Sequence, residues 1–411
     1  MSWMSLERVR EPVSAGAPPG GRAGALSPKL RRVSVAAVAL ALVSALCSGC
    51  GGSAVAVDAD HYTIGLVTSQ TGNASQLGVG ELHGAQLAVD TVNKAGGING
   101  HKVSLRVADD QSNPSQTVLA TRRLLPQTAA VVGPSVAGAC NAAAPLATSA
   151  GRVSYCLSPG IRPQRGSTTW SASASTEDLA ERLVEYWHHR GITRIGLLHT
   201  TDASGIDGGE ALRTAVRKTP GMKLTGTGAY SPKAISVTPQ LQSATAGSPQ
   251  ALVVWASGAA AGVAFKGLKD SGNTLPVATT DANLTFAFME RIKDYVPDTL
   301  LIPATRDFWG PHAGRGFADR VRHYQDSYRA RYHEAPDFGP GVAYDAVMLV
   351  AEALREADGD PAKAVQALEQ LGPYDGILGT YSFGAADHRG LTVDDVAVVR
   401  ATGRGFTYVG R

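Results

Sequence analysis

An α/β protein built on parallel sheets is what this sequence predicts. From Tyr62 onward, short apolar runs alternate with helical patterns. The runs are continuously apolar, as strands covered by helices on both faces require. The 362 residues from position 50 onward are enough for two lobes with separate cores.

The chain opens on a different pattern. Val33 to Leu46 carries only Val, Ala, Leu and Ser, with Lys29, Arg31 and Arg32 before it and Ser48, Gly49 and Cys50 after it. A basic flank, a short apolar run and small residues form the layout of a secretory signal, too short to span a bilayer comfortably. Cys47 and Cys50 lack the second ligand pair that a metal site needs. They also end a signal-like segment, whereas a redox pair sits in a strand-to-helix unit. The segment resembles a bacterial lipobox, with Cys47 where the box has Leu. Residues 1–49 are therefore expected to be a lipoprotein-type signal peptide for the general secretory route, since the flanks of Arg31-Arg32 do not fit twin-arginine export. Residues 1–28 read as a long basic leader or the product of a misplaced start codon. Cys50 is expected to carry lipid and 50–60 to act as a tether.

The remaining elements follow in order. Strands are predicted at 62–68, 102–108, 129–133, 194–200, 251–257 and 299–303. A helix from Leu82 to Lys94 is closed by Gly96-Gly97, and one from Tyr344 to Ala357 by Gly359. Between them "SNPSQTVLATRRLL" offers Ser112 or Asn113 as cap and Pro114 in the first turn. No sequence repeat and no second membrane-length apolar run follows.

Composition and motifs narrow the function. The formal charge of +3 includes a surplus of +4 before position 33, so the chain beyond it is close to neutral. That excludes the phosphate neutralisation on which nucleic-acid affinity rests. "GVGELHG" (78–84) is not G-x-G-x-x-G and starts too far beyond its strand to form a nucleotide-binding turn. Asp109-Asp110 reads as a loop before a helix, the histidines are scattered, and no G-x-S-x-G elbow is present. Nothing argues for catalysis, a metal or a cofactor.

The stretch "IGLVTSQTGNASQLGVGELHGAQLAVDTVNKAGGINGHKVSLRVADDQSNPSQTVLATRRLL" resembles the opening of a type I periplasmic solute-binding protein of the Leu/Ile/Val-binding family. "VVGPSVAGACNAAAPLA", "CLSPGIRP", "HTTDASGIDGGEAL", "VVWASGAAAGVAFKGLKDSG", "LPVATTDANLTFAFM", "GVAYDAVMLVAEAL" and "GTYSFGAADHRGL" follow in the family's order. The resemblance implies two Rossmann-like lobes joined by a three-crossover hinge, with ligand in the cleft. Lobe 1 is expected from 61–173 plus 304–395 and lobe 2 from 174–303 plus 396–411, with crossovers near Ser173, Pro303 and Val396. It further implies a monomeric receptor of an ABC importer, meeting permease and ATPase subunits and held by lipid on the outer face of the cytoplasmic membrane. A sensory receptor signalling to a partner protein is the alternative.

The same resemblance supplies candidate site residues. Strand C-termini and helix N-termini face the cleft, where backbone N–H groups favour a carboxylate. The expected donors lie around Ala137, Gly138, Ala139 and Gly160. Ala137 stands where relatives often have a serine; Leu77, Ser204 and Gly258 stand where they often have an aromatic residue. Asp281, with Asn283 beside it, falls near the acidic residue that holds an α-ammonium; a loop turn or helix cap is the other reading. Arg162 is either a bidentate carboxylate grip or a solvated loop arginine. Trp170, Trp255 and Trp309 are candidates to stack on a ring or to fill the core. An amino acid and an aromatic acid or amide-like solute are both open. Cys140, just after one strand, and Cys156, near the end of the next, approach the same sheet edge and are expected to form a disulfide.

Overall fold

The computed structural model describes residues 61–403 and 405–411. The segments expected to be a signal peptide and a tether, with Cys50 between them, lie outside the described residues. Elements run β1 (His61–Thr68), α1 (Ser75–Lys94), β2 (Lys102–Asp109), α2 (Pro114–Leu124), β3 (Ala130–Val132), α3 (Ala137–Ala150), β4 (Ser154–Cys156) and β5 (Thr169–Ser171). The chain continues through α4 (Thr176–His188), β6 (Arg194–Thr200), α5 (Ala203–Lys218), β7 (Lys223–Tyr230), α6 (Thr238–Thr245), β8 (Ala251–Trp255), α7 (Gly258–Asp270), β9 (Val277–Thr279), α8 (Phe286–Ile292) and β10 (Leu300–Ala304). The remainder is α9 (Arg315–Tyr332), α10 (Phe338–Glu356), α11 (Pro361–Glu369), β11 (Tyr374–Asp375), β12 (Thr380–Tyr381), β13 (Ala397–Thr402) and β14 (Gly405–Gly410).

Two sheets result. Strands β2-β1-β3-β4-β5 form a five-stranded parallel sheet. The order β14-β13-β10-β9-β8-β6-β7 makes a seven-stranded sheet, parallel from β10 to β7, with β13 and β14 antiparallel at one edge. Ser173 lies between β5 and α4, Pro303 within β10, and Val396 directly before β13. The chain passes from the five-stranded to the seven-stranded sheet after Ser173, leaves the latter after β10 for helices packed on α1, and rejoins it at β13 beyond Val396.

Local chemistry explains the helix starts. Asn113 caps α2 by accepting from Ser115 N at 2.9 Å, and Pro114 occupies the first helical position. Ser175 and Asp178 form a capping box on α4. Two helices begin earlier than their patterns predict. α1 starts at Ser75 rather than Leu82, and α10 at Phe338 rather than Tyr344. The glycines that make these stretches read as loop are needed for packing: a Cβ on Gly339 would stand 2.8 Å from Leu77 O, and one on Gly78 2.2 Å from Ser69 O. Backbone approach therefore overrides helix propensity. Strand β7 ("KLTGTGAY") was not predicted because glycine interrupts it and half of it is only partly buried.

Cys140 in the first turn of α3 and Cys156 at the end of β4 are joined by a disulfide, their Cα atoms 5.8 Å apart. The three tryptophans pack as structure. Trp170 is buried and stacks on His388 at 4.2 Å, Trp255 is buried against Gly208, and Trp309 donates Nε1–H to Ala304 O.

Candidate functional site

A cavity of about 510 Å³ opens where the two sheets' strand C-termini meet. In parallel α/β sheets this end carries the loops and helix N-termini that contact ligands. The loops after β1, β3 and β4 supply one wall; those after β6, β7, β8 and β9 supply the other.

Three of the long helices point their N-termini into this space. At α3, Ala139 N and Cys140 N bond to Val136 O, leaving the Ala137 and Gly138 N–H groups without a partner among the described residues. At α5, Asp202 caps Gly205 N at 2.9 Å, and Ala203 and Ser204 N–H remain free in the same sense. At α7, Asn283 Oδ1 takes Gly258 N at 2.9 Å and leaves Ala259 and Ala260 N–H. Each terminus carries about half a positive charge. Among the described residues, the charged side chains of the lining are Lys233 and Asp202, both exposed. The remaining walls are small, amide or hydroxyl residues with three prolines and with Leu77, Val136, Leu157, Val263 and Phe338.

Behind the wall lies a buried polar network. Glu81 accepts from Thr68 Oγ1 at 2.7 Å and Ser135 Oγ at 2.5 Å, while Ser69 N donates to Ser135 Oγ at 3.0 Å. Burial pushes the Glu81 carboxyl up to about 7, against the lowering effect of the two hydroxyls, with nearby Asp110 adding to the rise. The cavity-lining Ser135 hydroxyl is thus already committed on its far side.

The lining includes five of the residues expected from sequence: Leu77, Ala137, Gly138, Ser204 and Gly258. It leaves out the other five. Ala139 is fully buried one residue further into α3. Gly160 is buried, and a Cβ there would meet Ala137 Cβ at 3.3 Å. Arg162 is spent on ion pairs to Glu177 at 2.7 Å and Asp207 at 3.0 Å. Asn283 is buried and donates to Ala256 O as well as holding Gly258. Asp281 is 1% exposed, between lining neighbours Thr280 and Ala282. It accepts from Thr280 Oγ1 (2.8 Å), Ala282 N (2.9 Å) and Ser173 Oγ (3.4 Å). Burial still raises its carboxyl to about 6. The Asp281 side chain thus has the turn-forming role that its sequence also allowed.

Sequence reasoning missed Asn73, Gln76 and Lys233 as lining residues, while Ser135, Ser158 and Asp202 lie in the segments "GPSVAGAC", "SPGIR" and "TDASG" that it placed on the cleft walls without singling these residues out. Most sit beside segments that were recognised. Lys233 follows β7, the strand hidden by its glycines. Among the described residues there is no cluster of His, Cys, Asp or Glu placed to hold a metal. None of their helices is long and apolar enough to cross a membrane.

Comparison with known proteins agrees with this architecture. The chain is 44% identical over 77 residues to Leu/Ile/Val-binding protein BraC3 of Rhizobium johnstonii, a match covering 18% of this chain and 21% of that protein. The match thus spans about a fifth of that relative's length. A type 1 periplasmic binding protein from Bordetella pertussis superposes with a TM-score of 0.76 at 23% identity, covering 86% of this chain and 100% of that one. LivJ of Streptococcus pneumoniae, a branched-chain amino acid transporter substrate-binding protein solved in complex with isoleucine, gives 0.72 at 22% identity, covering 85% and 100%. At these identities the two structures speak for the fold alone. The family described as "Periplasmic binding protein" matches residues 61–405. The chain therefore belongs to the periplasmic binding protein family.

Proposed function

We propose that this protein is the extracytoplasmic receptor of an ABC importer and captures a small carboxylate-bearing solute in the interlobe cleft. The observation that carries the reading is the convergence of the α3, α5 and α7 N-termini on one cavity with few charged side chains. Six N–H groups without protein partners suit a carboxylate. Closure of the lobes about their crossings would bury the solute and form the surface a permease reads. Export and lipid attachment at Cys50 would hold the receptor at the membrane, where two or more acyl chains anchor firmly.

Two solute classes divide the reading. The name of the Rhizobium relative and the isoleucine complex of the Streptococcus protein support an amino acid. The commitment of Asp281 to Ser173, Thr280 and Ala282 supports a carboxylate without an ammonium group. Asp202 is the acid that remains in the lining.

A thermal-shift screen of amino acids, aliphatic acids and aromatic acids, with neutral sugars as contrast, tests the proposal. Ligand bound only to the folded state raises apparent stability. A carboxylate should give the largest rise, and a sugar in its place would contradict the reading. Asp202→Asn keeps a good helix cap while removing the charge. It should weaken an amino acid by about tenfold or more and leave an ammonium-free acid unharmed.

A further inference from the structure

Gln76 lies in the first turn of α1, between two cavities. It lines the solute cleft and also a groove of about 820 Å³ bounded by Val79, His83, Phe286 and Tyr328. Its side chain spans the lobes, with Nε2 donating to Ala282 O at 3.5 Å. The opposite amide placement would set two oxygens against each other, so the assignment follows from the partner. Oε1 is buried and has no hydrogen-bond partner among the described residues. Of the buried side-chain polar atoms in that condition, it alone belongs to the cleft lining.

The space it faces is set by a glycine. Gly258 has φ +58°, and a Cβ built on it would stand 3.4 Å from Gln76 Oε1 and Nε2 and 3.5 Å from the Asn73 carbonyl oxygen. Two neutral oxygen acceptors thus converge where lobe 2 has no side chain, beside the Gln76 Nε2 that already donates to Ala282 O. A buried acceptor left unpaired costs free energy, and a solute that supplies a donor recovers it. An ammonium without a carboxylate partner in such a place would stay costly, whereas an O–H or amide N–H would not.

We propose that Gln76, with the Asn73 carbonyl, selects a solute that carries a neutral hydrogen-bond donor, a hydroxyl or carboxamide, in addition to its carboxylate. This rests on the cleft being the solute site. Gln76 is a specificity residue that touches the solute: its Oε1 is covered as the lobes now stand, and a solute seated in the gap left by Gly258 before the lobes close meets it.

Calorimetric titration of the purified protein with two matched sets separates the possibilities. The first is 4-methylpentanoate, 2-hydroxy-4-methylpentanoate and leucine; the second is benzoate and 4-hydroxybenzoate. At least one hydroxy acid should bind about tenfold or more tightly than its deoxy partner. Gln76→Leu, and the nearly isosteric Gln76→Met, should bring that pair to within about twofold by removing the acceptor. Equal binding of both members of each pair, or a preference that survives both substitutions, would overturn the role of Gln76 while leaving the carboxylate receptor intact. Leucine binding most tightly and unaffected by either substitution would overturn it too. Binding of none of the five compounds would sink the carboxylate reading together with this inference.

Discussion

At the scale of single residues, buried carboxyls dominate the pH behaviour. Glu81 is raised to about 7, Asp307 and Asp337 to about 7, and Asp281 and Asp345 to about 6, each chiefly by burial. For Glu81, the unfolded chain loses its proton near 4.5 while the folded chain keeps it to about 7. The native state therefore binds more protons in that window, and stability falls as pH rises through it, then levels off. The other four act in the same direction. Urea midpoints should be higher at pH 5 than at pH 8. Glu81→Gln should shrink the corresponding difference in unfolding free energy by about 2.5 kcal/mol, since one pKa unit is about 1.4 kcal/mol and part of the loss precedes pH 5. An unchanged difference would remove Glu81 from the account. Of these acids the sequence singled out Asp281 alone. Glu81 falls just before the helix that the pattern predicts from Leu82, and only the fold brings Thr68 and Ser135 onto it.

At the scale of elements, continuous apolar runs were legible and interrupted ones were not. "RIGLLHT" and "ALVVW" are fully or almost fully buried and were readable as strands, whereas "KLTGTGAY" was not. The loop contributing Lys233 was lost with it. Site segments were legible because they follow recognisable strands. Half of the individual site residues were not, because whether Asp281 points into a cleft or onto Thr280 depends on side-chain packing that spacing does not encode. The Cys140–Cys156 bond was legible from two strand ends on one edge. It ties the first turn of α3, a wall of the cleft, to β4. Cys140→Ala/Cys156→Ala should cost about 3 kcal/mol in urea unfolding, as expected for a loop of this size. Mass analysis of the unreduced protein should find no free thiol at either position; finding both would contradict the assignment.

At the scale of the whole molecule, two parallel sheets bring the open ends of their strands to one space, and the helices that start there give it a positive cast. Gly138 offers the most direct test of that claim. A Cβ on Gly138 meets nothing within 4 Å, so a side chain fits without disturbing the fold. An aspartate in the first turn of α3 favours the helix by about 0.3–1 kcal/mol. It also sets a like charge beside the carboxylate that the cleft is proposed to hold, at a cost of several kcal/mol to binding. Titration of the best carboxylate from the screen into wild-type and Gly138→Asp protein, with thermal unfolding of both in its absence, is the deciding measurement. Equal or higher stability with affinity reduced about a hundredfold or more is the result this account predicts. Undiminished affinity in the variant would place the carboxylate elsewhere and contradict it.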